Sequence, residues 1–80
     1  MKRPLVFNEK LGRQRVWGCA NKRTGLVLVD PRQSPRRYLA TLVHEVLHVV
    51  APEWGETRVA RAGHRLAQAV WEAGFRKGKP

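Results

Sequence analysis

Eighty residues are one domain, and a chain of that length has only a marginal core of its own. Cys19 is the single cysteine, so a disulfide within the chain is excluded, and a bound metal or a partner chain is the expected source of extra stability. Sixteen Lys and Arg against six Asp and Glu give a net charge of +10, which favours polyanions such as nucleic acid. The apolar stretches near 26–29 and 46–51 are too short to cross a bilayer.

The first half reads as strands and the second as helices. Leu5 to Phe7 is a candidate short strand. Arg15 to Ala20 reads as a strand on the β-propensity of Val16 and Trp17. Asn21 to Gly25 is turn chemistry, and Leu26 to Asp30 is the second strand of a β-hairpin. Asp30-Pro31 ends it, because proline cannot donate to a ladder. Residues 1–33 are therefore the hairpin region.

Ser34-Pro35 is a strong helix start, with a capping hydroxyl and a proline suited to the first helical position. Leu39, Leu42, Val43, Val46, Leu47 and Val50 recur at helical spacing, so 34–51 reads as a helix. Pro52 stands just beyond it. A second helix is expected over 56–74, with Val59, Ala62, Gly63, Leu66, Ala67 and Val70 as an apolar stripe. Gly74 would stop it and Phe75 would fold back on it. Residues 75–80 form a basic tail. The link between the helices is so short that they should pack antiparallel. The expected fold class is α+β: a small antiparallel hairpin or three-stranded sheet on a two-helix hairpin.

His44, Glu45, Val46, Leu47 and His48 spell HExxH inside the first helix. Residues four apart lie on one face, about 6 Å from each other. Two imidazoles so placed can reach one metal ion at about 2.0–2.1 Å. Zinc lowers the pKa of water to about 7, and Glu45, next to the first histidine, is the candidate general base. The plain alternative is a helix with two surface histidines and an ordinary acid.

A catalytic zinc usually has a third protein ligand. Glu56 is the first choice, because it starts the second helix and returns near the end of the first; its plain alternative is an acid placed for the helix dipole. His64 competes as ligand or oxyanion donor, Glu53 and Cys19 are weaker ligand candidates, and Tyr38 and Arg58 are further candidate donors.

With these residues in view, the run from Ser34 to Phe75 resembles the small bacterial and phage SprT-like zinc metallopeptidases. The similar segments are SPRR at 34–37, TLVHEVLH at 41–48, the acid at Glu56 followed by Val59, and LAQAVWEAGFR at 66–76. WGCAN at 17–21 is similar to a segment that precedes a strand in that family, except that Asn21 stands where an acid is common. The resemblance implies a minimal zincin-like fold, one Zn2+, and a glutamate third ligand, which carries over to Glu56.

The leading functional expectation is zinc-dependent hydrolysis of a peptide or protein substrate, with Leu26 to Asp30 as an edge strand that could pair with it. The rival is a basic nucleic-acid-binding or interaction module with a structural or vestigial zinc site. An oligomer is compatible with the small size. The lone cysteine and the lack of an apolar run after the basic start suggest a cytoplasmic protein.

Overall fold

The computed structural model describes residues 2–11 and 16–75. Its elements are β1 (Leu5–Asn8), β2 (Gly18–Ala20), β3 (Leu26–Val29), α1 (Pro35–Val50) and α2 (Glu56–Glu72). The fold is α+β: a three-stranded sheet packs on α1, and α1 packs on α2.

β2 and β3 form the expected antiparallel hairpin, with Gly18 opposite Val29 and Ala20 opposite Val27. Asn21 builds its turn: Oδ1 accepts the backbone N–H groups of Arg23 at 2.9 Å and Thr24 at 3.1 Å. Gly25 takes φ 82°, a region open to glycine at little cost.

The sheet departs from expectation in its order and sense. β1 pairs with the other side of β3, in parallel, Leu5 opposite Leu26 and Asn8 opposite Val29. The order is β1-β3-β2, so the sheet is mixed. β3 is therefore central and cannot be the free edge that the sequence suggested. Its LVLV run suits a strand with neighbours on both sides, and Val27 and Val29 are wholly buried. The strand expected from Arg15 begins at Gly18, after Val16 and Trp17; Arg15 itself lies outside the described residues, as does the basic tail from Arg76. Asp30 follows β3 and does not belong to it.

α1 starts and stops where its local signals place it. The Ser34 hydroxyl accepts the Arg37 N–H at 3.4 Å, and Pro35 opens the first turn. At the other end the Ala51 N–H returns to the Leu47 carbonyl at 2.9 Å. α1 lies between two layers, so it buries two stripes, where the sequence showed one. Toward the sheet, Val49 closes a core with Val27 and Val29, flanked by Ala20, Tyr38, Leu42 and Val46. Each wholly buried valine contributes about 1.5–3 kcal/mol.

The other stripe meets α2. Arg36 lies over Trp71, Gly63 faces the backbone of His44, and Glu56 reaches His48. The numbers run in opposite directions, so the pair is antiparallel as expected. α2 buries Val59, Gly63 and Ala67 against α1 and, among the described residues, packs on no strand.

A methyl group added at Gly63 would meet His44 Cα at 3.5 Å and Leu47 Cδ1 at 3.6 Å, which is ordinary contact. Gly63→Ala should therefore raise stability by about 0.5–1 kcal/mol through helix propensity. A denaturant midpoint below that of wild type would show that the helices cannot accept the extra atom.

α2 ends in a Schellman motif. Gly74 takes φ 99°, its N–H bonds to the Trp71 carbonyl, and the Phe75 N–H bonds to the Val70 carbonyl. The expected fold-back of Phe75 does not follow, because its side chain is 70% exposed. No helix among the described residues is long and apolar enough to cross a membrane.

Candidate metal centre

The HExxH spacing does on α1 what a helical turn dictates. The His44 and His48 rings lie one turn apart and meet edge-on, with centroids 5.0 Å apart and planes at 70°. Glu56, the first residue of α2, reaches back across the short link. Its Oε1 lies 2.7 Å from His44 Nε2, and its Oε2 lies 3.0 Å from His48 Nε2. One ligand atom from each of the three residues falls within 4.8 Å of the others.

Two imidazole nitrogens and one carboxylate are a donor set that zinc favours. Bonds of about 2.0–2.1 Å in a tetrahedron hold ligand atoms about 3.3 Å apart; the Glu56 contacts at 2.7 and 3.0 Å lie a little inside that distance, and the three donors together lie within 4.8 Å. The residues present therefore fit a zinc ion. The site is also open: the Glu56 side chain is 70% exposed, against 27% for His44 and 15% for His48.

One feature works against tight binding. His48 Nδ1 is buried and meets no hydrogen-bond partner among the described residues. Metal-bound histidines usually donate that second nitrogen to a carbonyl or carboxylate, and losing such a contact costs about 10–100-fold in affinity.

Glu45 is half-buried and turns toward β2. Burial raises its pKa above the ordinary carboxylate value, while His44 and His48 pull it down and Glu56 pushes it up. A cleft of about 380 Å³ opens beside it, lined by Val16, Trp17, Gly18, Thr41, His44 and Glu45. β2 is an outer strand of the sheet, so the edge that borders this cleft is β2, not β3.

Gly18 sets the width of the gap between that edge and α1. A Cβ there would lie 2.6 Å from Thr41 Cγ2 and 3.0 Å from Glu45 Cγ. Gly18→Ala should cost about 1–3 kcal/mol as overpacking, and the thermal melt should register the loss. A melt equal to that of wild type would mean that Thr41 and Glu45 turn aside freely.

The gap is braced from behind by a buried amide. Gln33 Nε2 donates to the Trp17 carbonyl at 3.1 Å and to the Asp30 carbonyl at 2.9 Å, and its Oε1 accepts the Thr41 hydroxyl at 2.7 Å. Gln33 thus ties the start of β2 to α1. The sequence reading missed it, since an isolated glutamine in a turn carries no pattern.

The remaining candidates lie elsewhere. His64 is exposed on α2 and lines a small hollow with Arg36, Ala40, Ala67 and Gln68, nearer the start of α1 than His44. It is not in the donor group, because helix α2 has carried it two turns past Glu56. The Tyr38 hydroxyl donates to Asn8 Oδ1 at 2.5 Å. The Arg58 guanidinium carbon lies over Trp54, 4.3 Å from the ring centre. Cys19 is exposed and outside the donor group; strand alternation turns it away from α1, since Gly18 and Ala20 face the helix. Glu53 is exposed in the link and outside the donor group.

No family model matches the chain, and no curated protein or solved structure matches it either.

Proposed function

We propose that this chain is a zinc-dependent hydrolase of peptide bonds. The observation that carries the reading is the convergence of His44 Nε2, His48 Nε2 and the Glu56 carboxylate, with Glu45 beside them on the wall of an open cleft. The resemblance of TLVHEVLH and its surroundings to SprT-like metallopeptidases supports the same reading.

In this proposal His44, His48 and Glu56 hold the ion. When bound, zinc polarises a carbonyl and brings the pKa of water to about 7. Glu45 takes a proton from the attacking water and passes it to the leaving amine. The outer edge of β2 pairs with an extended substrate and lays its backbone along the cleft. The peptide is thereby oriented by main-chain hydrogen bonds, which ask little of its sequence. The single cysteine fits a reducing compartment, so we place the activity in the cytoplasm.

Metal content of purified protein tests the reading. Mass spectrometry should find about one zinc per chain in wild type and none in His48→Ala. Glu56→Gln should hold zinc more weakly, because an amide gives up the negative charge of the donor set. A folded wild type that takes up no zinc, even when it is supplied, would remove the enzymatic reading.

A further inference from the structure

α2 has a face that the metal site does not use. Arg58, Arg61 and Arg65 recur at intervals of three and four and form one stripe. The stripe lies about half a turn round the helix from Glu56. All three side chains are exposed, and none has a carboxylate within ion-pair distance among the described residues. With Trp54, Ala62 and Leu66 they line a groove of about 660 Å³.

The groove has two parts. Its rim is cationic. Its floor is apolar: the Trp54 ring beneath the Arg58 guanidinium at 4.3 Å, and the side chain of Leu66, which is 47% exposed. No other element of the described fold covers this face.

We infer that this groove binds a single strand of nucleic acid, with its phosphates along the arginine rim and its bases on the floor. Guanidinium groups match phosphate oxygens in pairs. From Arg58 to Arg65 the helix rises about 10 Å, so the rim follows a short run of consecutive phosphates. The Arg58–Trp54 pair offers stacking surface that accepts any base. An acidic peptide would satisfy the rim but has nothing to lay flat on the floor. The chain's net charge of +10 adds attraction at long range. The groove shares no residue with the donor cluster, so this inference does not rest on the hydrolase reading.

Fluorescence anisotropy with the full chain tests it, using labelled DNA and RNA strands of about 15 nucleotides. The variant is Arg58→Gln/Arg61→Gln/Arg65→Gln, whose positions are exposed and cost little stability; equal melting curves confirm the fold. The control variant is Lys2→Gln/Arg3→Gln/Arg37→Gln, which removes the same charge elsewhere. Three lost phosphate contacts should weaken binding at least about tenfold at low salt and flatten the log–log salt slope by about 2. The control should change far less. Four results would overturn the inference: no strand binding at about 50 mM salt, an equal loss in both variants, tighter binding of a duplex than of a strand, or a polyglutamate peptide that binds as tightly as the strand.

Discussion

Glu45→Gln should keep its zinc and lose hydrolysis. The proposal assigns Glu45 one task, the movement of a proton, and the amide of glutamine cannot accept one. The two side chains have nearly the same shape, so the packing beside Gly18 is kept. A positioned general base contributes about 10²–10⁴-fold to rate, and a loss of that size is expected with a denatured protein as substrate. Zinc content should stay at the wild-type level, because Glu45 is outside the donor group. A variant that hydrolyses the substrate as fast as wild type would strip Glu45 of this role. His48→Ala provides the contrast, since there activity and metal should disappear together.

The parts of the fold that local chemistry controls were legible in the chain. α1 occupies Pro35–Val50 because Ser34 caps it, Pro35 opens it and Pro52 lies just beyond its end. The Asn21 to Gly25 turn likewise carries its own instructions. Glu56 could be placed near His48 because two helices joined by so short a link must fold back on each other.

What depended on long-range pairing was not legible. Nothing in Leu5 to Asn8 says whether it pairs in parallel or antiparallel, or with which strand. The crossover from β1 passes β2 before β3 arrives between them. The expectation that β3 is an edge strand failed for the same reason, since a strand's place in the sheet is set by its pairing and not by its own residues. Val49 escaped the apolar stripe for a related reason: the pattern of one amphipathic face cannot show that a helix has a sheet on one side and a helix on the other. The arginine stripe was visible in principle, because spacing at 58, 61 and 65 is a helical signal. That α1 leaves this face uncovered is shown only by the fold.

Asp30 carries more of the fold than its position before a proline suggests, and Asp30→Asn should show it. The side chain is wholly buried. Its Oδ2 accepts the Leu11 N–H at 2.8 Å and the Arg32 guanidinium at 2.7 Å; its Oδ1 accepts the Arg32 backbone N–H at 2.9 Å and Nε at 3.0 Å. These contacts anchor the segment after β1 to the turn that leads into α1, the same turn from which Gln33 braces the cleft. The Arg32 guanidinium, by its hydrogen bonds, leads in holding the carboxyl well below its ordinary pKa of 3.8; burial opposes it, and the N–H groups of Arg32 and Leu11 assist it. A depressed folded pKa gives stability that is fully present above the unfolded value and is lost as pH falls through the folded one. Wild type should therefore hold this contribution at neutral pH and lose it progressively below about pH 3.8. Asparagine has no charge to offer at any pH and turns an N–H donor toward donors of Arg32 or Leu11. At pH 7 its melting temperature should fall by about 5–10 °C, as leaving a buried hydrogen-bonding group unmatched does in a domain of this size. The gap between the two proteins should then narrow as pH drops below the ordinary aspartate value. A gap that stays constant from pH 7 to about pH 2 would mean that packing around Asp30, and not its charge, holds the turn in place.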